Sequence, residues 1–334
     1  MIRRFQAAIL SAEAGLEESS AICARRSLPR RWSRHRNADS AVSTFRLGLV
    51  GAGRMGRQHF QALSTSDRVR VTAVADPAGA TLPDVHLYPD AQEMLMAGGL
   101  DGVLIAAPSV LHLSLITQVA EAGLPILCEK PCGVTADQAR VAAIIADGYG
   151  VKMQVAYWRR FVPALQRLRQ RIADGELGAL YLLACYQWDG RPPDMHFRAS
   201  SGGIFVDMGV HEFDQICWLS GQKIEHVAAA IARVTADPES AQALCTLSGG
   251  STALVSLGQR FPDGDICRVE VFGTRDVEDC RFLWPPERER VFQDALRCQA
   301  EAFADWARGG EQKGATAADA VAALAVAERA GRQP

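Results

Sequence analysis

The segment from Phe45 to Leu63 leaves few folds open. Phe45-Arg46-Leu47-Gly48-Leu49-Val50 is a short β pattern, Gly51-Ala52-Gly53-Arg54-Met55-Gly56 follows directly, and a helical stretch runs on to Leu63. In a strand, G-x-G-x-x-G, helix unit the three glycines have separate tasks. Gly51 permits the tight turn, Gly53 lets backbone approach a pyrophosphate, and Gly56 lets helix pack on strand. Phosphates would rest on the unpaired N–H groups where Arg54 and Met55 open the helix. The next apolar run, Val69 to Ala75, ends in Asp76, the position of an acid that bonds a ribose 2′-hydroxyl. A turn aspartate before Pro77 is the plainer reading of that residue. No arginine or lysine lies between Asp76 and Asp90 to neutralise a 2′-phosphate, which favours NAD over NADP.

The alternation continues. Pro89 to Ala97 reads as a helix, Asp101 to Ala107 as a buried strand closing on Pro108-Ser109, and Leu111 to Ala122 as a helix. Repeated strand–helix units predict a parallel, doubly wound α/β sheet of the Rossmann kind. Pro108 and Ser109 would share the rim of Gly53 and line the cofactor crevice, while His112 reads as a helix-start residue. The wholly apolar run Ile126-Leu127-Cys128 then ends in Glu129-Lys130-Pro131-Cys132. Ligands bind outside the carboxyl ends of such strands, which sets Lys130 where chemistry is done. Alone, a Glu-Lys pair reads as a solvated loop; its surroundings shift the balance. Thr135 to Asp147 is a helix and Val151 to Tyr157 the last strand of this half. Arg159 and Arg160 follow, either as a solvated exit or as a clamp on substrate hydroxyls.

Composition excludes several classes. The formal net charge is −2, which gives no electrostatic reason to meet nucleic acid or a membrane surface, and no run of 18 apolar residues exists. Nine scattered cysteines without a Cys-x-x-Cys pair indicate reduced thiols in a cytoplasm, and Cys128 and Cys132 read as packing residues rather than metal ligands. Residues 1–44 carry eight arginines against Glu13, Glu17, Glu18 and Asp39. The glutamates argue against a targeting presequence and no apolar h-region marks a secretory signal. The expectation is a poorly ordered extension, or an over-called start, with no part in the chemistry.

Beyond Pro163 an amphipathic helix reaches Asp174 and the pattern changes. Strand candidates Leu180 to Trp188, His226 to Val234, Ala241 to Leu247, Ser251 to Leu257 and Cys267 to Phe272 succeed one another without helices. That predicts an α+β domain with a mostly antiparallel open sheet. Domains are thus expected at 45–162, binding NAD, and at 163–334, for substrate and oligomerisation, with a helical segment over about 287–330. Between the strands, Asp207, His211 and Asp214 fall at i, i+4 and i+7 of a helix that is otherwise apolar. A polar stripe on a buried helix needs partners or a cavity, and histidine is the side chain most readily poised near neutral pH. A satisfied core histidine is the bland alternative for His211.

Together, Gly51-x-Gly53-x-x-Gly56, Asp76, Glu129-Lys130-Pro131 and Gly203…Asp207-x-x-x-His211-x-x-Asp214 resemble the glucose–fructose oxidoreductase/inositol dehydrogenase/rhizopine-catabolism (Gfo/Idh/MocA) family. The resemblance covers about residues 45–275. It implies a catalytic triad of Lys130, Asp207 and His211, a cis Pro131, and substrate contacts from Arg160 and Asp214. Gly51, Gly53, Arg54, Met55, Gly56, Asp76, Pro108, Ser109, Glu129 and Lys130 would meet NAD. Gly202 to His211 is most similar to the inositol 2-dehydrogenase branch, which implies oxidation of a secondary hydroxyl on a cyclic polyol by a cytoplasmic homo-oligomer, dimer or tetramer. On charge grounds Lys130 would stabilise the alkoxide, His211 take the proton and Asp207 hold His211, with Asp194, His196 and Arg198 as further polar candidates. Two departures stand out. Thr274 to Pro285 is short, which predicts a missing edge strand, and no tyrosine follows Tyr186. A silent nucleotide-binding relative, and an NAD- or NADP-dependent enzyme for another sugar or amino sugar, stay open.

Overall fold

The computed structural model describes residues 43–79, 82–194, 201–232 and 240–332. The extension expected at residues 1–44 therefore lies outside them except for its last two positions, as do His196 and Arg198.

The first layer is a sheet built from the apolar runs. Its strands are β1 (Phe45–Val50), β2 (Val69–Ala75), β3 (His86–Tyr88), β4 (Gly102–Ile105), β5 (Ile126–Cys128), β6 (Met153–Val155) and β13 (Ala315–Thr316), in the order β13-β6-β5-β4-β1-β2-β3. All pairs are parallel except β13 with β6. Every residue of β4, β5 and β6 is buried, as expected for strands covered on both faces. The crossovers are α1 (Arg54–Leu63), α2 (Ala91–Ala97), α3 (His112–Glu121) and α4 (Ala136–Gly148). Asp90 caps α2 by accepting from Glu93 N–H at 2.9 Å, and Thr135 caps α4 by accepting from Gln138 N–H at 3.1 Å. Strand order reverses between β1 and β4, so the crevice opens there.

The second layer holds β7 (Leu180–Trp188), β8 (Ile224–Ala232), β9 (Ser240–Leu247), β10 (Thr252–Gly258), β11 (Ile266–Gly273) and β12 (Val277–Leu283), in the order β12-β11-β7-β10-β9-β8. Only β7 with β10 is parallel. Two further helices, α5 (Pro163–Ala173) and α6 (Val210–Ser220), pack beside it.

Two expectations need correction. The edge strand is present: β12 pairs with β11 across a turn closed by Gly273 N–H to Asp276 O at 3.0 Å. Only Cys280 and Phe282 face inward, while Glu278, Asp279 and Arg281 are charged, so the apolar period is faint. Charge on an edge blunts further strand pairing. The second correction concerns the chain's end. Ala315–Thr316 join the first sheet by pairing with Val155 and Gln154. Helix α7 (Arg288–Ala307) drives Phe303 against Phe45, ring centroids 6.0 Å apart, and α8 (Ala317–Gly331) packs on α4. The segment from Arg288 onward thus completes the first half as well as the second, and a clean boundary at 162/163 does not hold for it.

Phe303 is fully buried. Phe303→Ala should cost about 3–5 kcal/mol in chemical denaturation, the usual loss for a truncated core aromatic. A loss below about 1 kcal/mol would mean that α7 merely rests on the sheet.

Candidate active site

Backbone hydrogen bonds line up the ends of adjacent strands. Gly51 N–H donates to Ala75 O at 2.9 Å, Ala106 N–H to Val50 O, Glu129 N–H to Ile105 O and Ala156 N–H to Cys128 O, each at 2.8 Å. The glycine turn, Ala107-Pro108-Ser109, Glu129-Lys130 and Tyr157-Trp158 therefore share one rim. The turn is built for a close neighbour. Gly51 has φ +91°, and a Cβ there would lie 2.7 Å from Ala107 N; a Cβ on Gly56 would lie 2.0 Å from Gly51 O. Above Gly53 nothing lies within 4 Å of a built Cβ, and no side chain caps α1 at that residue. The first N–H groups of α1 therefore stand open to an anion. Asp76 Oδ2 accepts from Ala52 N–H at 2.6 Å and Oδ1 from Ala78 N–H at 2.8 Å, which fastens the turn and leaves lone pairs for a ribose hydroxyl. A cavity of about 220 Å³ lined by Asp76, Pro77, Leu87 and Tyr88 lies beside it. These residues fit a dinucleotide.

Lys130 reaches across to the second half. Its Nζ donates to Asp207 O at 2.6 Å and to Asp207 Oδ1 at 3.1 Å, and the Lys130–Pro131 bond is cis, as the resemblance implies. The segment bearing Asp207 is not a plain α-helix: Phe205–Gly209 form a π turn that runs into α6. Such turns displace side chains from the i, i+4 stripe. His211 is 8% exposed, packed edge-on to Tyr157 and Trp158 at 5.9 and 6.4 Å between ring centroids. Its Nδ1 is buried with no hydrogen-bond partner. Burial, then the Lys130 and Arg159 charges, hold the ring well below its ordinary pKa, so it is neutral.

Several expected roles change. Asp207 spends its carboxylate on Lys130, and no hydrogen bond joins it to His211 Nδ1, so it does not orient that ring. Arg160 and Asp214 meet each other rather than an open crevice: Arg160 Nε donates to Asp214 Oδ2 at 3.0 Å and Nη2 to Oδ1 at 2.5 Å, with Asp319 at 3.3 Å from Nη1. Both are buried, which also removes the solvated-exit reading. Arg159 is buried too, 2.7 Å from Glu212, with Nη2 donating to Gln187 Oε1 at 2.7 Å. Burial pushes the Glu212 and Asp214 carboxyls up, and each arginine opposes that. Glu129 faces inward: Oε1 lies 2.7 Å from His59 Nε2, and Oε2 accepts from Lys130 N–H at 3.1 Å. It braces the loop with both oxygens engaged inside the protein. Cys128 and Cys132 are buried, with burial pushing the Cys132 thiol up to about 12, so both are inert packing residues.

An open glycine turn over a helix start, an acid at the end of β2, and a lysine held on the turn that leads into a buried histidine suit a dinucleotide-dependent oxidoreductase. Comparison with known proteins agrees. Residues 45–157 match the oxidoreductase family profile described as an NAD-binding Rossmann fold, and residues 165–277 match the GFO/IDH/MocA C-terminal domain. The chain is 52% identical to the rhizopine catabolism protein MocA of Rhizobium meliloti over 86% of its own length and 95% of the relative's. It is 30% identical to an inositol 2-dehydrogenase of Rhizobium meliloti strain 1021, covering 86% and 96%. A solved structure titled a putative myo-inositol dehydrogenase from Sinorhizobium meliloti 1021 superposes with TM-score 0.79 at 27% identity, covering 86% and 97%. The chain belongs to the GFO/IDH/MocA oxidoreductase family, and its first half is that family's NAD-binding domain.

The neutral, buried His211 has a signature in stability. Its folded pKa is depressed, so the stability it contributes is present above about pH 6.5, the ordinary histidine value, and is lost as pH falls from there toward the folded pKa. His211→Gln should flatten that acid limb by about 1.4 kcal/mol per pH unit, read by denaturation at pH 7 and pH 5.5. Parallel curves for the two proteins would show that His211 titrates alike in the folded and unfolded chain.

Proposed function

We propose that the protein is an NAD-dependent dehydrogenase that oxidises a secondary hydroxyl of a cyclic polyol. The observation that carries the reading is the Lys130 ammonium held on Asp207, four residues before the buried His211, on the rim that also holds the open glycine turn. The inositol dehydrogenase relatives support the substrate class.

NAD, when bound, supplies the acceptor for the hydride that leaves the carbinol carbon. Lys130 donates to the reacting oxygen and stabilises it as it becomes an alkoxide; its ammonium is already partly shielded and held on Asp207, so little reorganisation is needed. Nε2 of His211 accepts the hydroxyl proton. Asp207 holds Lys130 rather than His211, and the Arg160–Asp214 pair fixes the floor of the site without touching substrate. Gly51, Gly53, Arg54, Met55 and Gly56 hold the pyrophosphate, Asp76 the ribose, and Pro108 and Ser109 border the nicotinamide end. Asp76, with no arginine or lysine between it and Asp90 in the sequence, favours NAD over NADP.

No described helix is long and apolar enough to cross a membrane, and free thiols at all the described cysteines suit a cytoplasmic enzyme. Leu182, Leu244, Leu254 and Phe272 leave apolar surface on the outer face of the second sheet. That face supports a homo-oligomer, dimer or tetramer.

NADH absorbance over a panel of inositols, amino-substituted cyclitols and sugars should show turnover on a cyclic polyol, with NAD preferred to NADP by at least about tenfold. Absence of turnover across the panel contradicts the reading. Lys130→Ala should lower kcat by about a thousandfold, the usual worth of a group that stabilises a developing oxyanion, and leave the NAD Kd within about threefold. Equal losses in both would make Lys130 a structural residue.

A further inference from the structure

Two buried histidines outside the reacting groups bracket the Glu129-Lys130-Pro131 segment. His59 lies on the inner face of α1 and is wholly buried; its Nε2 sits 2.7 Å from Glu129 Oε1, whose other oxygen takes the Lys130 N–H. Since the carboxylate only accepts, Nε2 carries the proton. His112 opens α3 and is 1% exposed. Its Nδ1 lies 2.7 Å from Pro131 O and its Nε2 2.8 Å from Ala107 O, the residue against which Gly51 closes; burial favours the neutral ring, which donates to only one of the two carbonyls, and the tautomer protonated on Nδ1 is the one that holds Pro131. One histidine therefore grips the residue before Lys130 and the other the residue after it. Neither contact is made by packing alone: each ends on a buried acceptor that would otherwise be short of a donor.

We propose that His59 and His112 are positioning residues for Lys130, His59 acting through the Glu129 carboxylate and His112 through the Pro131 carbonyl. The role rests on the assignment of Lys130 to the reacting hydroxyl. The geometry explains why both are needed. Lys130 has a long, flexible stem, and its ammonium must meet the reacting oxygen within a few tenths of an ångström to act at full strength. Its backbone leaves the sheet at Cys128 and lacks ladder partners beyond Glu129 N–H. The two imidazoles fasten it to α1, which starts at the glycine turn, and to α3, which follows Pro108-Ser109. Lys130 is thereby tied to the same two elements that would hold the dinucleotide, so the lysine and the nicotinamide end share one frame.

The test uses a crossed pair of substitutions. A glutamine amide reaches about as far as histidine Nε2 and an asparagine amide about as far as Nδ1. At His59 the useful nitrogen is Nε2, so His59→Gln should stay within about threefold of wild-type kcat and His59→Asn should fall by about tenfold to a hundredfold. At His112 the useful nitrogen toward Pro131 is Nδ1, so the order should reverse, with His112→Asn retained and His112→Gln impaired. NAD Kd by fluorescence titration should stay within about threefold throughout. A second readout needs no turnover: acetylation of Lys130 by acetic anhydride, read by peptide mass spectrometry on the full chain. It should rise at least about threefold in His59→Asn and His112→Gln, as the amine loosens from Asp207, and stay near wild type in the other two.

The crossed order in both readouts supports the proposal. The same order at the two sites, or uniform loss with falling melting temperature and NAD affinity, overturns it in favour of a packing role. Unchanged Lys130 acetylation in all four variants overturns it as well. If the wild type oxidises no polyol, the functional reading fails by itself, while the acetylation pattern still decides whether the histidines hold the lysine.

Discussion

The structure depends on an ammonium that leaves the first sheet and is received by the π turn that runs into α6. Lys130 emerges from the fully buried end of β5 and places Nζ on both the carbonyl and the carboxylate of Asp207. A lysine taken out of water needs such compensation, because its desolvation is not repaid by a single contact. Both groups remain partly open, at 18% and 15% side-chain exposure, so the pair is neither a surface bridge of negligible worth nor a sealed one. That intermediate setting suits the charge that the proposed mechanism turns to a substrate oxygen.

Around this contact the fold buries an unusual amount of charge. Arg159–Glu212 and Arg160–Asp214 lie on consecutive residues of one turn and on α6, one pair on either side of the helix that carries His211. Removing one partner of such a pair typically costs about 3–5 kcal/mol, because the other is left uncompensated. The pairs pin α6 to the Trp158–Phe161 turn of the first half. His211 is held neutral by the same surroundings: burial and two nearby cations all disfavour a second proton. A base held free at neutral pH, beside the Lys130 ammonium, is the division of labour that the proposed alcohol oxidation requires.

The legible parts of the sequence were those governed by local rules. Phe45–Gly56 could be read because an apolar strand, three glycines with separate steric tasks and a helix start fall in one short window. Glu129-Lys130-Pro131 could be read because a polar cluster after an all-apolar strand must sit at a strand end. Other features depended on partners distant in the chain. Arg160 and Asp214 looked like substrate contacts because their sequence positions do not reveal that they satisfy each other. Strand β12 hid behind its charged outer face, and the two residues of β13 carry no periodicity at all. The π turn moved Asp207 from His211 to Lys130, and no local pattern announced it. His112 read as a helix start and His59 drew no notice within its helix; only the carboxylate and the carbonyls brought next to them by the fold gave them a task. His59 did leave one trace, since it follows Gly56 by three residues on the face of α1 that packs inward.

The central claim is spatial, and a crystal structure of the ternary complex with NAD and a cyclic polyol tests it most directly. The account predicts one substrate hydroxyl within about 3 Å of both Lys130 Nζ and His211 Nε2, with its carbon against the nicotinamide ring. A polyol bound with every hydroxyl out of reach of those two nitrogens would contradict it.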